Sequence, residues 1–227
     1  MRLLLVTATT GEVAPFIDYL KETSSNVQEN IFERNGTSLE WLVTGVGLTA
    51  TAFALGRKLA LAQYHEVLNA GIAGAFTGKG LNIGDVVEIT EDTFADLGAE
   101  DATGNFLSLA DLGLLQPDSF PFTSGCLVNA QTNALKPLKT VRGVSVNKTS
   151  GYAPSINALS ARFEPDVESM EGAAFFYACL LSRQPFCAVR SISNYIEPRN
   201  KENWNIPLAI GNLNLYLKNW WNSRSGK

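Results

Sequence analysis

The chain has 227 residues, 45% of them hydrophobic and 18% charged, with a formal net charge of -4. That length and balance suit one sizeable core and exclude a disordered or low-complexity protein. Scattered Lys and Arg under a negative total argue against a nucleic-acid surface, which would gather basic residues on one face, and leave a small molecule or another subunit as partner.

The opening MRLLLVTATTGEV holds an apolar run too short for a secretion signal or a membrane span. It reads as a first buried strand, Arg2 to Ala8, of a cytoplasmic protein with no membrane partner. Thr9-Thr10-Gly11 then turns toward a helix over about Glu12 to Glu22, in which Val13, Phe16, Ile17 and Leu20 share one face. Strand, loop and helix in this order is where open α/β sheets place ligands. Taken alone, Glu12 reads as a carboxylate favoured by the start of the helix.

Asn35-Gly36, between extended runs at Glu29 to Asn35 and Thr37 to Thr44, marks a hairpin. Gly45-Val46-Gly47 follows, then a helix from about Leu48 to Gln63. This Gly-x-Gly has Ala50 where a dinucleotide fingerprint needs its third glycine, and no acidic residue ends the next strand, so dinucleotide binding is not supported. Glu66 to Ala70 is a strand, and Gly71-Ile72-Ala73-Gly74-Ala75 reads as a loop whose small residues let a ligand approach the backbone. Asp85 reads as a turn residue before a strand at Val86 to Thr90.

His65 is the one histidine and sits at a helix-to-strand junction, where it reads as structural. Its placement removes serine–histidine, cysteine–histidine and histidine–zinc chemistry. Cys126, Cys179 and Cys187 are an odd number without metal spacing and read as reduced core residues.

Residues 95–121 form an irregular excursion near the site, suited to oligomer contacts. Gly143 to Lys148 is a strand and Pro154 to Ala161 a short helix. In DVESMEGAAFFYACLL, Asp166 to Leu181, the carboxylate of Glu171 is the only charge from Met170 onward. That predicts a buried helix whose first-turn acid requires a polar group opposite it. Pro185 to Ile192 is a strand running into Ser193-Asn194-Tyr195, then a loop-like segment Glu197 to Trp204, then a last helix from about Pro207 to Trp221.

In the order of these polar groups the chain resembles the nucleoside phosphorylase and nucleosidase family over essentially its full length. Four places carry the resemblance: Glu12, Asn69-Ala70-Gly71-Ile72-Ala73-Gly74, Met170-Glu171-Gly172-Ala173-Ala174, and Val189-Arg190-Ser191-Ile192-Ser193-Asn194. It implies an α/β fold in three layers, one domain over residues 1–227 with a central mixed sheet flanked by helices. It also implies cleavage of the N-glycosidic bond of a purine nucleoside by a homo-oligomer, with no cofactor and no metal. Glu171 then holds ribose hydroxyls, Met170 packs on the sugar, Gly71, Ile72 and Ala73 border the base, and Asn194 faces the purine. The chemistry fits independently, because an oxocarbenium-like transition state needs a carboxylate near the ribose, a base for water and donors to the departing purine.

Two departures stand out. Glu168-Ser169-Met170-Glu171 has one residue more between the acids than the family's Glu-Met-Glu, and the expected base-stacking phenylalanine near residues 150–152 has only Tyr152 in its place. Where bacterial-type phosphorylases of the family bind phosphate with Gly-Asp-Pro-x-Arg, this chain has Thr9-Thr10-Gly11-Glu12. A carboxylate there repels phosphate and activates water, so hydrolysis is expected with Glu12 as general base. Asn194, standing where hydrolases of 6-aminopurine nucleosides carry aspartate, points to a 6-oxopurine. Trp204 is expected to wall the 5′ substituent and Arg199 to meet a carboxylate on it. Arg190, in a buried strand, reads as structural or ion-pairing.

Overall fold

The computed structural model describes residues 1–131 and 138–226. The chain begins with β1 (Arg2–Thr7), α1 (Ala14–Thr23), β2 (Ser25–Gln28), β3 (Ile31–Arg34), β4 (Thr37–Val43) and α2 (Leu48–Leu61). It continues through β5 (Glu66–Phe76), β6 (Val86–Asp92), the short pair β7 (Gly98–Glu100) and β8 (Phe106–Ser108), then β9 (Phe122–Thr123), β10 (Cys126–Val128) and β11 (Lys139–Ser145). Last come α3 (Ala153–Phe163), β12 (Val167–Ser169), α4 (Gly172–Leu181), β13 (Phe186–Ile196), a 3-10 helix at Lys201–Asn203 and α5 (Ile206–Ser225).

Local chemistry explains several boundaries. Asn35 and Gly36 both have positive φ, 51° and 74°, as the tight hairpin between β3 and β4 requires. Pro15 lies in the first turn of α1, where its missing N–H is not needed, so the helix begins at Ala14 and Glu12 stands in the turn before it rather than in its first turn. Asp85 closes the turn before β6 by accepting from Asn82 N at 2.8 Å, and His65 Nδ1 accepts from Arg2 N at 2.9 Å. Both are structural, as their sequence setting indicates. Cys126, Cys179 and Cys187 are free thiols, the last two buried.

The sheet runs β2-β3-β4-β1-β5-β12-β11-β6-β10-β9, and β13 pairs with both β5 and β6. Strands β5, β12, β11, β6 and β13 therefore close on themselves, a feature that no local pattern in the sequence announces. Helices cover both faces: Leu55, Leu59, Phe175 and Phe176 of α2 and α4 pack on one, Phe16, Leu20, Leu213, Trp220 and Trp221 of α1 and α5 on the other. Each fully buried tryptophan contributes roughly 3 kcal/mol or more of apolar burial. Trp220 also donates to the buried Glu66 at 3.0 Å, whose other oxygen meets Arg224 at 2.8 Å. Among the described residues no helix is long and apolar enough to cross a membrane.

One expectation is corrected. Gly71 to Ala75 is not a loop, because β5 continues unbroken to Phe76 and β13 likewise continues past Ile192 to Ile196. The small side chains serve close packing: a Cβ on Gly74 would stand 2.3 Å from Ile196 Cδ1 and 3.1 Å from Asn194 Nδ2.

Candidate active site

The site follows from how β5 changes partners. Its first half pairs with β1 as far as Asn69, and β12 takes over that edge only at Gly74 and Ala75. Between them the edge at 70–73 is open, so a backbone donor there must find a side-chain acceptor. Glu12 supplies it: Oε1 accepts from Ile72 N at 3.3 Å, while Oε2 accepts from Thr9 N at 3.0 Å and Thr9 Oγ1 at 3.2 Å. Gly71 leaves room for this carboxylate, since a Cβ would lie 2.9 Å from Glu12 Oε1 and 3.7 Å from Arg190 Nε and would push Glu12 aside. Gly71 and Ile72 thus hold Glu12, and Ala73, buried beside them, accepts from Ser193 Oγ at 3.2 Å.

Glu171 precedes α4 rather than lying in its first turn, and its side chain reaches another helix. Oε1 accepts from Gly47 N at 2.9 Å, at the residue that starts α2. Gly47 has φ of 96° and Gly45 has φ of 87°, so these glycines shape a turn that aims an N–H at Glu171. Burial pushes the Glu171 carboxyl up from its ordinary range; the Gly47 N–H and the Arg190 charge oppose this, and the Glu12 charge adds to it. Met170, half-buried, adjoins it in the chain.

Arg190 is 1% exposed, anchored through Nη2 to Asn69 Oδ1 and through Nη1 to Val189 O at 2.9 Å. These anchors fit the structural side of its sequence reading, and its charge opposes the upward push of burial on Glu171. A further carboxylate that sequence reasoning passed over, Asp92, is 0% exposed. Its Oδ1 accepts from Thr93 N at 2.8 Å and Ser145 Oγ at 2.9 Å, while Oδ2 has no hydrogen-bond partner among the described residues. Burial pushes Asp92 up to about 7, opposed by Ser145 and by Arg190. Three acids in one short strand, Glu88, Glu91 and Asp92, were the available signal.

Asn194 follows a bulge in β13 at Ser193; such bulges re-aim side chains beside active sites. Its Oδ1 faces Ser193 Oγ at 2.8 Å and its Nδ2 donates to Tyr195 O at 3.0 Å. One amide hydrogen remains for a ligand. Arg199 and Trp204 stack on each other, the guanidinium carbon 5.0 Å from the ring centre. Asn205 N donates to Ser193 O at 2.8 Å, which brings that pair to the edge of the Asn194 strand. Tyr152 is 69% exposed. A separate cavity of about 500 Å³, lined by Phe94, Leu97, Leu115, Phe122 and Phe163, includes none of these residues. Its two arginines, Arg142 and Arg162, are paired with Glu91 and Asp111.

Residues 2–219 match the phosphorylase superfamily. A futalosine hydrolase of Thermus thermophilus is 32% identical over 180 residues, covering 78% of this chain and 79% of that protein. A 5′-methylthioadenosine/S-adenosylhomocysteine nucleosidase of Psychromonas ingrahamii is 26% identical over 92% of this chain and 94% of its own length. The solved futalosine hydrolase of Helicobacter pylori superposes with a TM-score of 0.78 at 15% identity, covering 98% of each chain. That likeness supports the fold, and the extent of the family match decides the affiliation: the chain belongs to the phosphorylase superfamily.

Proposed function

We propose that this protein is a futalosine hydrolase, which cleaves the N-glycosidic bond of futalosine with water and releases hypoxanthine for menaquinone biosynthesis. The observation that carries the reading is the pair Glu12 and Glu171, each bound to backbone N–H groups of a different element, with Arg190 close to both. As the C1′–N9 bond breaks, its electron pair passes to the purine and positive charge builds on the ribose. Glu171 grips the ribose hydroxyls beside that charge. Glu12 accepts a proton from the water whose oxygen bonds C1′. Asn194 donates its remaining amide hydrogen to O6 or N7 of the departing base, which takes up a proton from solvent. An ionised aspartate in its place would set acceptor against acceptor at a 6-oxo group. Met170 packs on the sugar, with Gly71, Ile72 and Ala73 bordering the base and Arg199 and Trp204 the 5′ substituent.

The turn Thr9 to Glu12 has no arginine, which favours water over phosphate as the attacking group. The reading carries with it a cytoplasmic homo-oligomer that needs no cofactor. Phe53 and Leu61 of α2, 65% and 84% exposed, support a subunit contact. A second reading, a methylthioadenosine/adenosylhomocysteine nucleosidase, draws on the Psychromonas relative. The test is base release from futalosine, inosine and methylthioadenosine, each with and without phosphate. Phosphate-independent hypoxanthine release, fastest from futalosine, is expected. Faster adenine release from methylthioadenosine favours the second reading, and a phosphate requirement contradicts both.

A further inference from the structure

Glu168 takes no part in the reaction above, yet it is 4% exposed. It lies in β12, paired with Val144 of β11 and Gly74 of β5. Its Oε1 accepts from Ser150 N at 2.9 Å and its Oε2 from Ser150 Oγ at 2.5 Å. Burial pushes this carboxyl up; the two Ser150 bonds oppose that, and the nearby Asp96 charge adds to it. Both bonds go to a neutral residue, so the buried acid is held at a cost in stability. What it gains is position.

Asp96 acts in the same way at the other end of the same loop, accepting from Asn147 N at 2.6 Å and Asn147 Nδ2 at 3.1 Å. The loop from 147 to 150 is thus tied at both ends by carboxylates, Glu168 from β12 and Asp96 from the connection between β6 and β7. The segment carrying Arg199 rests on this tied loop. Arg199 N donates to Gly151 O at 3.2 Å and Nη1 to Thr149 Oγ1 at 3.4 Å. Gly151 allows the approach, since a Cβ there would lie 3.2 Å from Arg199 Cβ. Beyond Arg199 come its stacking partner Trp204 and the bond from Asn205 to Ser193, next to Asn194.

We propose that Glu168 is a positioning residue: by holding Ser150 it fixes the 147–151 loop as the support for Arg199 and Trp204, and so sets how tightly a bulky anionic 5′ substituent is held. This rests on the hydrolase reading given above. It separates Glu168 from the ribose acid three residues later, because its bonds reach the rim of the site.

The test compares the KM and kcat for futalosine with the inhibition constant of inosine, which has the same base and ribose but no aromatic 5′ group. Glu168→Ala should raise the futalosine KM about tenfold while kcat and the inosine constant stay within about twofold. Ser150→Ala loses the hydroxyl bond but keeps the N–H, so it should raise KM about threefold, and the double variant should match Glu168→Ala alone because both act through one contact. Glu168→Gln keeps an acceptor of the same shape and should recover most of the KM; it also keeps the test decisive where the alanine variant does not fold. A rise in the inosine constant equal to that in the futalosine KM overturns the proposal, as does a fall in kcat alone or full additivity in the double variant. Should the wild-type protein release no hypoxanthine from futalosine, the hydrolase reading fails. Normal wild-type turnover with no split among the variants overturns the positioning role alone.

Discussion

At the centre of the site Glu12 and Glu171 take their bonds from backbone N–H groups at Ile72, Thr9 and Gly47, whereas at the rim the exposed Arg199 meets chiefly Trp204, Gly151 and Thr149. Backbone donors in paired strands and at the start of a helix have almost no freedom to lose when a ligand binds, so the centre is preorganised for charge that develops during reaction. Side chains at the rim must be ordered as the substrate arrives, and their contribution falls on binding. Substitutions at the centre should therefore act on kcat, and those at the rim on KM.

Breaking the centre gives the largest effect. Glu12→Gln should keep the fold and substrate affinity yet lower futalosine turnover by roughly a hundredfold or more, the scale of general-base removal. Turnover near the wild-type level, measured at saturating futalosine, would remove Glu12 from the mechanism.

Asp92 sharpens the comparison through stability. Its folded pKa of about 7 lies above the ordinary 3.8, so its stabilising contribution is complete below about pH 3.8 and is lost as pH rises through 7. Asp92→Asn mimics the protonated form and should be more stable than wild type above pH 7, by on the order of 2–3 kcal/mol, with the advantage shrinking toward pH 4. Urea unfolding at pH 4, 6 and 8 measures it. A difference that does not change with pH would mean that Asp92 keeps an ordinary pKa.

Glu171→Gln should weaken catalysis on a ribonucleoside about tenfold more than on its 2′-deoxy analogue, which has already lost part of the contact. Equal losses would return Glu171 to a role in joining α2 to α4. At the rim, Arg199→Ala should raise the futalosine KM only severalfold, the scale of one exposed charge-assisted contact, and leave inosine binding unchanged. A matching change for inosine would rule out a contact to the 5′ carboxylate.

The same division governs what the sequence reveals. Glu171 was visible as a lone acid in an apolar run, and the demand for a polar group opposite it is met by Gly47 and Arg190. The Asn35-Gly36 hairpin, the long helices α2 and α5 and the turn role of Asp85 were legible because short-range chemistry dictates them. The path of β5 through Gly71 to Ala75 was not, because its small residues answer to Glu12, Ile196 and Asn194, which are distant in sequence. Closure of the sheet by β13 and the tie from Glu168 to Ser150 were hidden for the same reason. Residues 25–28 form a strand that the polar sequence did not suggest, held at the sheet edge by β3.

The central claim is that Asn194 reads a 6-oxopurine at a site built for hydrolysis, and the direct measurement is the ratio of kcat/KM for futalosine to that for its 6-amino analogue, in wild type and in Asn194→Asp. A mismatched buried hydrogen bond costs about 1–3 kcal/mol, so the ratio should fall by roughly tenfold or more in the aspartate variant. A ratio that stays the same or rises would contradict the assignment of Asn194 to the base, and with it the choice of futalosine over adenine nucleosides.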